Sequence, residues 1–153
     1  MNIFPWKKNA DFFNEEEKQQ IVNAIKAAEE RTSGEIRLYI ESHCKYMDAV
    51  DRAKEIFAEF QMFKTKERNA TLIYVAMKDH QVAVFGDEGI HQKVGQEYWK
   101  KVLAKMVEEF KQNHLADGVC AAIQELGEAL HTYFPYESST DKNELPDEII
   151  FGR

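Results

Sequence analysis

Apolar residues recur along this chain in two distinct periods, and the changes of period mark out its elements. Ile21, Val22, Ile25 and Ala28 fall at helical spacing, which predicts a first helix over 15–30. Asn14 followed by Glu17 is a capping-box start for it, and Glu15 and Glu16 suit the positive end of the helix dipole. Thr32-Ser33-Gly34 breaks that period, and from Glu35 to Ser42 the pattern alternates: Ile36, Leu38 and Ile40 on one face, Arg37, Tyr39 and Glu41 on the other. This predicts a strand with one face buried and one partly polar, at or near a sheet edge. Asp48 is placed to cap a second helix over 49–62, with Val50, Ala53, Ile56, Phe57 and Phe60 inward. Two apolar, β-rich runs follow, Thr71 to Met77 and Val82 to Phe85, joined by a polar turn at 78–81. Both runs are apolar on both faces, so helices should cover the two sides of the sheet. Helices over 96–111 (Trp99, Val102, Leu103, Met106, Phe110) and 116–133 (Val119, Ile123, Leu126, Leu130) complete the pattern before Pro135.

The predicted fold class is α/β: a three-layer α/β/α sandwich with a small mixed β-sheet flanked by helices. Three segments are expected: an arm over 1–13 whose aromatics dock on the body, one α/β/α domain over 14–135, and a flexible polar tail over 136–153. Within the tail, Leu145 to Phe151 also reads as a docking peptide, for a neighbour or for the protein's own sheet edge.

At 153 residues the chain is long enough for one domain with a substantial core. A net charge of −7 argues against nonspecific nucleic-acid binding, which needs clustered Lys and Arg against phosphate. The N-terminal residues lack the order of a signal peptide, and no apolar run approaches the ~20 residues that span a bilayer. The expectation is a cytoplasmic monomer with no membrane partner. Cys44 and Cys120 lack metal or redox spacing and read as reduced, packed thiols.

Topology concentrates the chemistry. A strand–helix–strand crossover makes the first two strands parallel, and the hairpin then returns the third to the end where those two begin. Ser33-Gly34-Glu35, Arg68-Asn69 and Gly86-Asp87-Glu88-Gly89 therefore meet. Glu35, Asn69, Asp87 and Glu88 supply the oxygen donors a hard cation takes, with Asp117 as a further donor if it packs nearby. Structural roles compete for the same groups: Glu35 with Arg68 or Arg31, and Asp87 as the cap of a turn at Ile90-His91-Gln92. At the opposite end, His43, Cys44, Asp48, Asp79 and His80 form a rival transition-metal candidate whose spacing matches no known pattern. His91, His114 and His131 read as scattered surface or cap residues. No nucleophile elbow, His-Glu-x-x-His, P-loop or dinucleotide fingerprint is present.

The segments Arg31-Thr32-Ser33-Gly34-Glu35-Ile36-Arg37, Arg68-Asn69-Ala70-Thr71-Leu72-Ile73-Tyr74-Val75-Ala76 and Phe85-Gly86-Asp87-Glu88-Gly89-Ile90 together resemble the TPM domain family. Phe134-Pro135 and Asn143-Glu144-Leu145-Pro146-Asp147-Glu148-Ile149 are similar to a short soluble bacterial subgroup. The resemblance implies an α/β/α sandwich and binding of a divalent cation, calcium or magnesium. For some plant members it implies an acid phosphatase activity. It carries over onto Glu35, Asn69 and Asp87, with Glu88 as a neighbour. The loop His114-Leu115-Ala116-Asp117-Gly118 departs from the pattern often found there. The expected function is therefore cation binding by a modulatory protein of unknown protein partner; the alternative is a metal-dependent phosphatase acting on phosphate monoesters.

Overall fold

A computed structural model describes residues 12–136 and 149–152. The predicted arm over 1–13 and the tail over 136–153 lie largely outside these residues. Helix α1 (Glu15–Glu29) begins at the expected capping box, Asn14 Oδ1 accepting from Glu17 N at 2.7 Å and Glu17 Oε1 from Asn14 N at 3.0 Å. It buries Ile21, Ile25 and Ala28, and the chain then turns into β1 (Glu35–Glu41). Helix α2 (Ala49–Glu59) starts where the Asp48 carboxylate accepts the Asp51 N–H at 2.8 Å. Strands β2 (Ala70–Ala76) and β3 (Gln81–Gly86) form the hairpin.

A short helix absent from the periodicity reading, α3 (Glu88–Val94), follows at once. Seven residues are too few to display a helical stripe. Gly95, at φ +81° in the left-handed region that favours glycine, separates it from α4 (Gln96–Lys111). Helix α5 (Leu115–Tyr133) and strand β4 (Ile149–Phe151) complete the described elements.

The sheet order is β3-β2-β1-β4. Strands β1 and β2 are parallel, with Glu35 opposite Ala70, and β2 and β3 are antiparallel, with Thr71 opposite Gly86. Because side chains alternate along a strand, the two faces build separate cores. One face (Ile36, Leu38, Ile40, Ile73 and Val75) packs with α1, α4, α5 and Ile90 of α3. The other (Tyr39, Leu72, Tyr74 and Ala83) packs under α2 through Ala53, Ile56 and Phe57, with Met62 beyond the helix end. Each fully buried Ile or Leu contributes about 1.5–3 kcal/mol, and the first face carries the larger buried cluster. The architecture is the α/β sandwich the pattern predicts, with unequal helical layers.

β1 lies near the sheet edge, as its pattern predicts, but not at it: β4 pairs with it in parallel, Leu38 opposite Ile149 and Ile40 opposite Phe151, and all seven of its residues are buried. The last residues of the supposed flexible tail thus form a strand on the protein's own sheet, as the docking-peptide reading allows. The polar face of β1 is buried because its partners come from distant elements. The Glu41 carboxylate accepts from Arg52 Nε at 2.8 Å and from the Tyr74 hydroxyl, while the Arg37 guanidinium lies 5.5 Å over the Phe60 ring. An isolated strand sequence carries no sign of those partners.

Candidate functional site

Three loops meet at the end where β1 and β2 begin, as the topology predicts. Thr32 fastens the first: its hydroxyl donates to carbonyl oxygens of Leu130 and Phe134 at the end of α5 and accepts from Gly34 N at 3.0 Å. A Cβ on Gly34 would lie 2.7 Å from Leu130 and 3.2 Å from the Asn69 carbonyl, so glycine lets this loop reach the second. The third closes from the other side. A Cβ on Gly89 would fall 2.1 Å from the Glu67 carbonyl, and Ile90 N donates to Arg68 O at 3.3 Å.

Within this junction the side chains sort into two groups. Ser33 Oγ donates to Glu67 Oε2 at 2.7 Å and accepts from Asn69 Nδ2 at 3.2 Å. Asn69 is 1% exposed, and among the described residues its Oδ1 accepts no hydrogen bond. An amide oxygen withdrawn from water without a donor costs free energy unless something else binds it.

Asp87 belongs to the second group. Its carboxylate accepts from Arg68 Nε at 2.7 Å and Arg68 Nη2 at 2.8 Å, a bidentate pair, and it caps α3 by accepting Glu88 N at 2.8 Å. The pairing raises the affinity of Arg68 for its proton, chiefly through the hydrogen bonds to Asp87. Arg68 itself sits at φ +54°, a left-handed conformation that residues with a Cβ seldom take.

The expected ligand set is therefore only partly assembled. Glu35 is buried, and register places it beside Ala70, one residue from Asn69. Glu88 is exposed and lies 3.9 Å from Arg68 Nη2. Asp87 is committed to Arg68 and to α3, which realises the capping role. No three acidic groups of this junction lie within reach of one ion among the described residues.

Asp117 does not join them. It sits in the first turn of α5, whose last turn is the one that holds Thr32, and 19 helical residues span roughly 28 Å. Asp117 instead lies with Glu109 and His114 at the α4–α5 turn, their donor atoms within 4.8 Å of one another. Sequence spacing cannot show this, because the proximity depends on α5 folding back along α4 with Gly118 against Phe110.

The rival end holds structural contacts. Asp79 accepts from Cys44 N at 2.7 Å and meets His43 Nδ1 at 2.8 Å, which holds its carboxyl below the usual range, and Asp48 caps α2. Among the described residues His43, Cys44, Asp79 and His80 form no three-donor metal group. Both cysteines are buried free thiols, and burial pushes Cys120 up to about 11. His91 is more than a surface cap: its Nδ1 accepts the Trp99 indole N–H at 2.9 Å and ties α3 to α4. Among the described residues no helix is long and apolar enough to cross a membrane.

Comparison with known proteins gives concordant results. The TPM domain profile matches residues 7–129. The BA42 protein of the psychrophilic bacterium Bizionia argentinensis, solved by NMR, is 38% identical, with a TM-score of 0.85 over 92% of this chain and 96% of that one. The N-terminal domain of the cg2496 protein of Corynebacterium glutamicum has a TM-score of 0.57 over 90% of this chain and 80% of that one. At 11% identity it shares the fold alone. Among curated proteins none matches in sequence.

Proposed function

The chain belongs to the TPM domain family, and from that premise we propose that it is a divalent-cation-binding domain that modulates a protein partner and carries out no chemistry of its own. Calcium is the expected ion, with magnesium the smaller alternative. The observation that carries this reading is Asn69 Oδ1, a buried acceptor without a donor among the described residues, where three loops converge. Beside it stand the Ser33 hydroxyl and the Glu67 carboxylate, with Glu35 one register step away. An all-oxygen set of this kind suits a hard cation. Asp87 fits less well as it stands, since Arg68 and the α3 N-terminus occupy its oxygens.

A phosphatase would need a nucleophile, or metal ions that clamp both the attacking and the leaving oxygen. The Cys120 thiol, raised by burial, stays protonated at neutral pH, and Cys44 is buried with its thiol donated to Met47 O at 3.3 Å. No specific observation favours catalysis over binding.

Calcium titration followed by NMR tests the proposal. Amide shifts are expected at Ser33, Gly34, Asn69 and Glu88, with a rise in melting temperature. Saturation at a hundred times Kd stabilises by about 2.7 kcal/mol. Glu35→Gln combined with Asp87→Asn should abolish both effects. A wild-type melt and spectrum unchanged by millimolar calcium would remove the proposal, and phosphate-ester turnover lost on Asp87→Asn would replace it with the enzymatic one.

A further inference from the structure

Asp87 is 4% exposed, while the Arg68 side chain that neutralises it is 45% exposed. The two ends of this ion pair therefore have very different alternatives. Removing the guanidinium leaves a buried carboxylate uncompensated, a costly state. The guanidinium itself needs only side-chain rotation to regain water. The backbone around it has less freedom: Arg68 O is fixed by Ile90 N, and Gly89 closes against the 67–68 carbonyls. What the junction requires is a positive charge on Asp87, and the half-exposed arginine is an exchangeable way to provide it. Next to the pair in sequence, Asn69 presents a buried oxygen that has no partner among the described residues.

We propose that Arg68 is the resident cation of this junction, which a divalent metal ion must displace from Asp87 in order to bind. This rests on the cation-binding reading above and adds its regulation. The guanidinium and the metal ion compete for one carboxylate, because two cations at that distance repel and Arg68 holds both Asp87 oxygens. Asp87 therefore becomes a ligand only as Arg68 leaves, and the ion exchanges one compensating charge for another. The exchange also changes the surface. Arg68 and the exposed Glu88 already line a groove of about 560 Å³ with Lys54, Phe85, His91 and Lys100, and with metal bound the Arg68 charge is no longer neutralised by Asp87. Cation occupancy is thereby linked to the charge that this groove shows to a partner.

The test compares calcium binding by wild type, Arg68→Gln and Arg68→Lys, using calorimetry together with the Arg68 Nε–H resonance. In the wild type that resonance should lose its Asp87 hydrogen bond in step with the amide shifts at Asn69 and Glu88. Arg68→Gln should bind calcium at least tenfold more tightly than wild type, with Arg68→Lys in between, although Arg68→Gln melts lower without metal. Adding Asp87→Asn should erase the gain. Equal or weaker binding by a folded Arg68→Gln protein, or an Arg68 Nε–H resonance unmoved at calcium saturation, overturns the proposal while leaving cation binding in place. If neither wild type nor Arg68→Gln responds to calcium, or if shifts appear only at Glu109, His114 and Asp117, the underlying reading falls and the competition with it. A measured melting curve and amide spectrum for each variant separate weaker binding from failure to fold.

Discussion

Glu41 shows how much of this protein depends on single polar residues in apolar surroundings. Its carboxylate is buried between β1 and α2, accepting from Arg52 Nε at 2.8 Å, Arg52 Nη2 at 3.0 Å and the Tyr74 hydroxyl. Burial and that hydrogen bond hold Tyr74 firmly protonated, and the Glu41 contacts do the same for Arg52. Arg52→Met removes one partner and leaves the other buried. The expected loss in urea unfolding is near the lower end of the about 3–5 kcal/mol typical of a broken buried pair, and pairing it with Glu41→Gln should recover much of it. Asp79 makes a prediction about acid. Its folded pKa is depressed, first by the His43 hydrogen bond and then by Cys44 N–H. The stability it adds is therefore fully present above the ordinary aspartate value of about 3.9 and is lost as pH falls through the lower folded value. Between neutral pH and pH ~3, wild type should lose more melting temperature than Asp79→Asn; equal losses would refute the linkage.

Among elements, α3 shows why short helices escape sequence reading. It has one buried residue, Ile90, and it begins at an aspartate that looks equally suited to a metal site. Its position is set by Gly89 against the Glu67 and Arg68 carbonyls and by the Trp99–His91 hydrogen bond. Gly89→Ala would force a Cβ into backbone that side-chain rotation cannot relieve. The expected cost is about 1–3 kcal/mol, with amide shifts along α3 and 67–69 if the helix is pushed away. Strand β4 makes the complementary point. Ile149–Phe151, a short apolar run in a polar tail, becomes a strand by pairing with the otherwise open side of β1, and Gly152 N donates to Ile40 O at 2.6 Å. The longer elements, α1, α2, α4, α5 and the hairpin, were legible because each carries enough apolar repeats to declare its period.

The molecule as a whole is asymmetric about its sheet. α1, α3, α4 and α5 cover one face, whereas α2 covers the other, packing on β2 and β3. Amides of α2 should therefore exchange through a partial opening of lower free energy than those of α5. Native-state hydrogen exchange checks this, and equal protection at Ile56 and Ile123 would mean that the two layers open only together. The sequence alone determined the fold class, the parallel β1–β2 pairing and the meeting of Ser33, Asn69 and Asp87. These follow from periodicity and from the rules of chain crossover, which are local or nearly so. Tertiary structure decided what the meeting residues do. It gave Asp87 to Arg68, left Asn69 Oδ1 without a donor among the described residues, carried Asp117 to the far end of α5 and laid β4 on β1. Those outcomes depend on which side chain the packing brings to a shared carboxylate and on how helices fold back along one another. Both are set by packing between segments that share no local pattern.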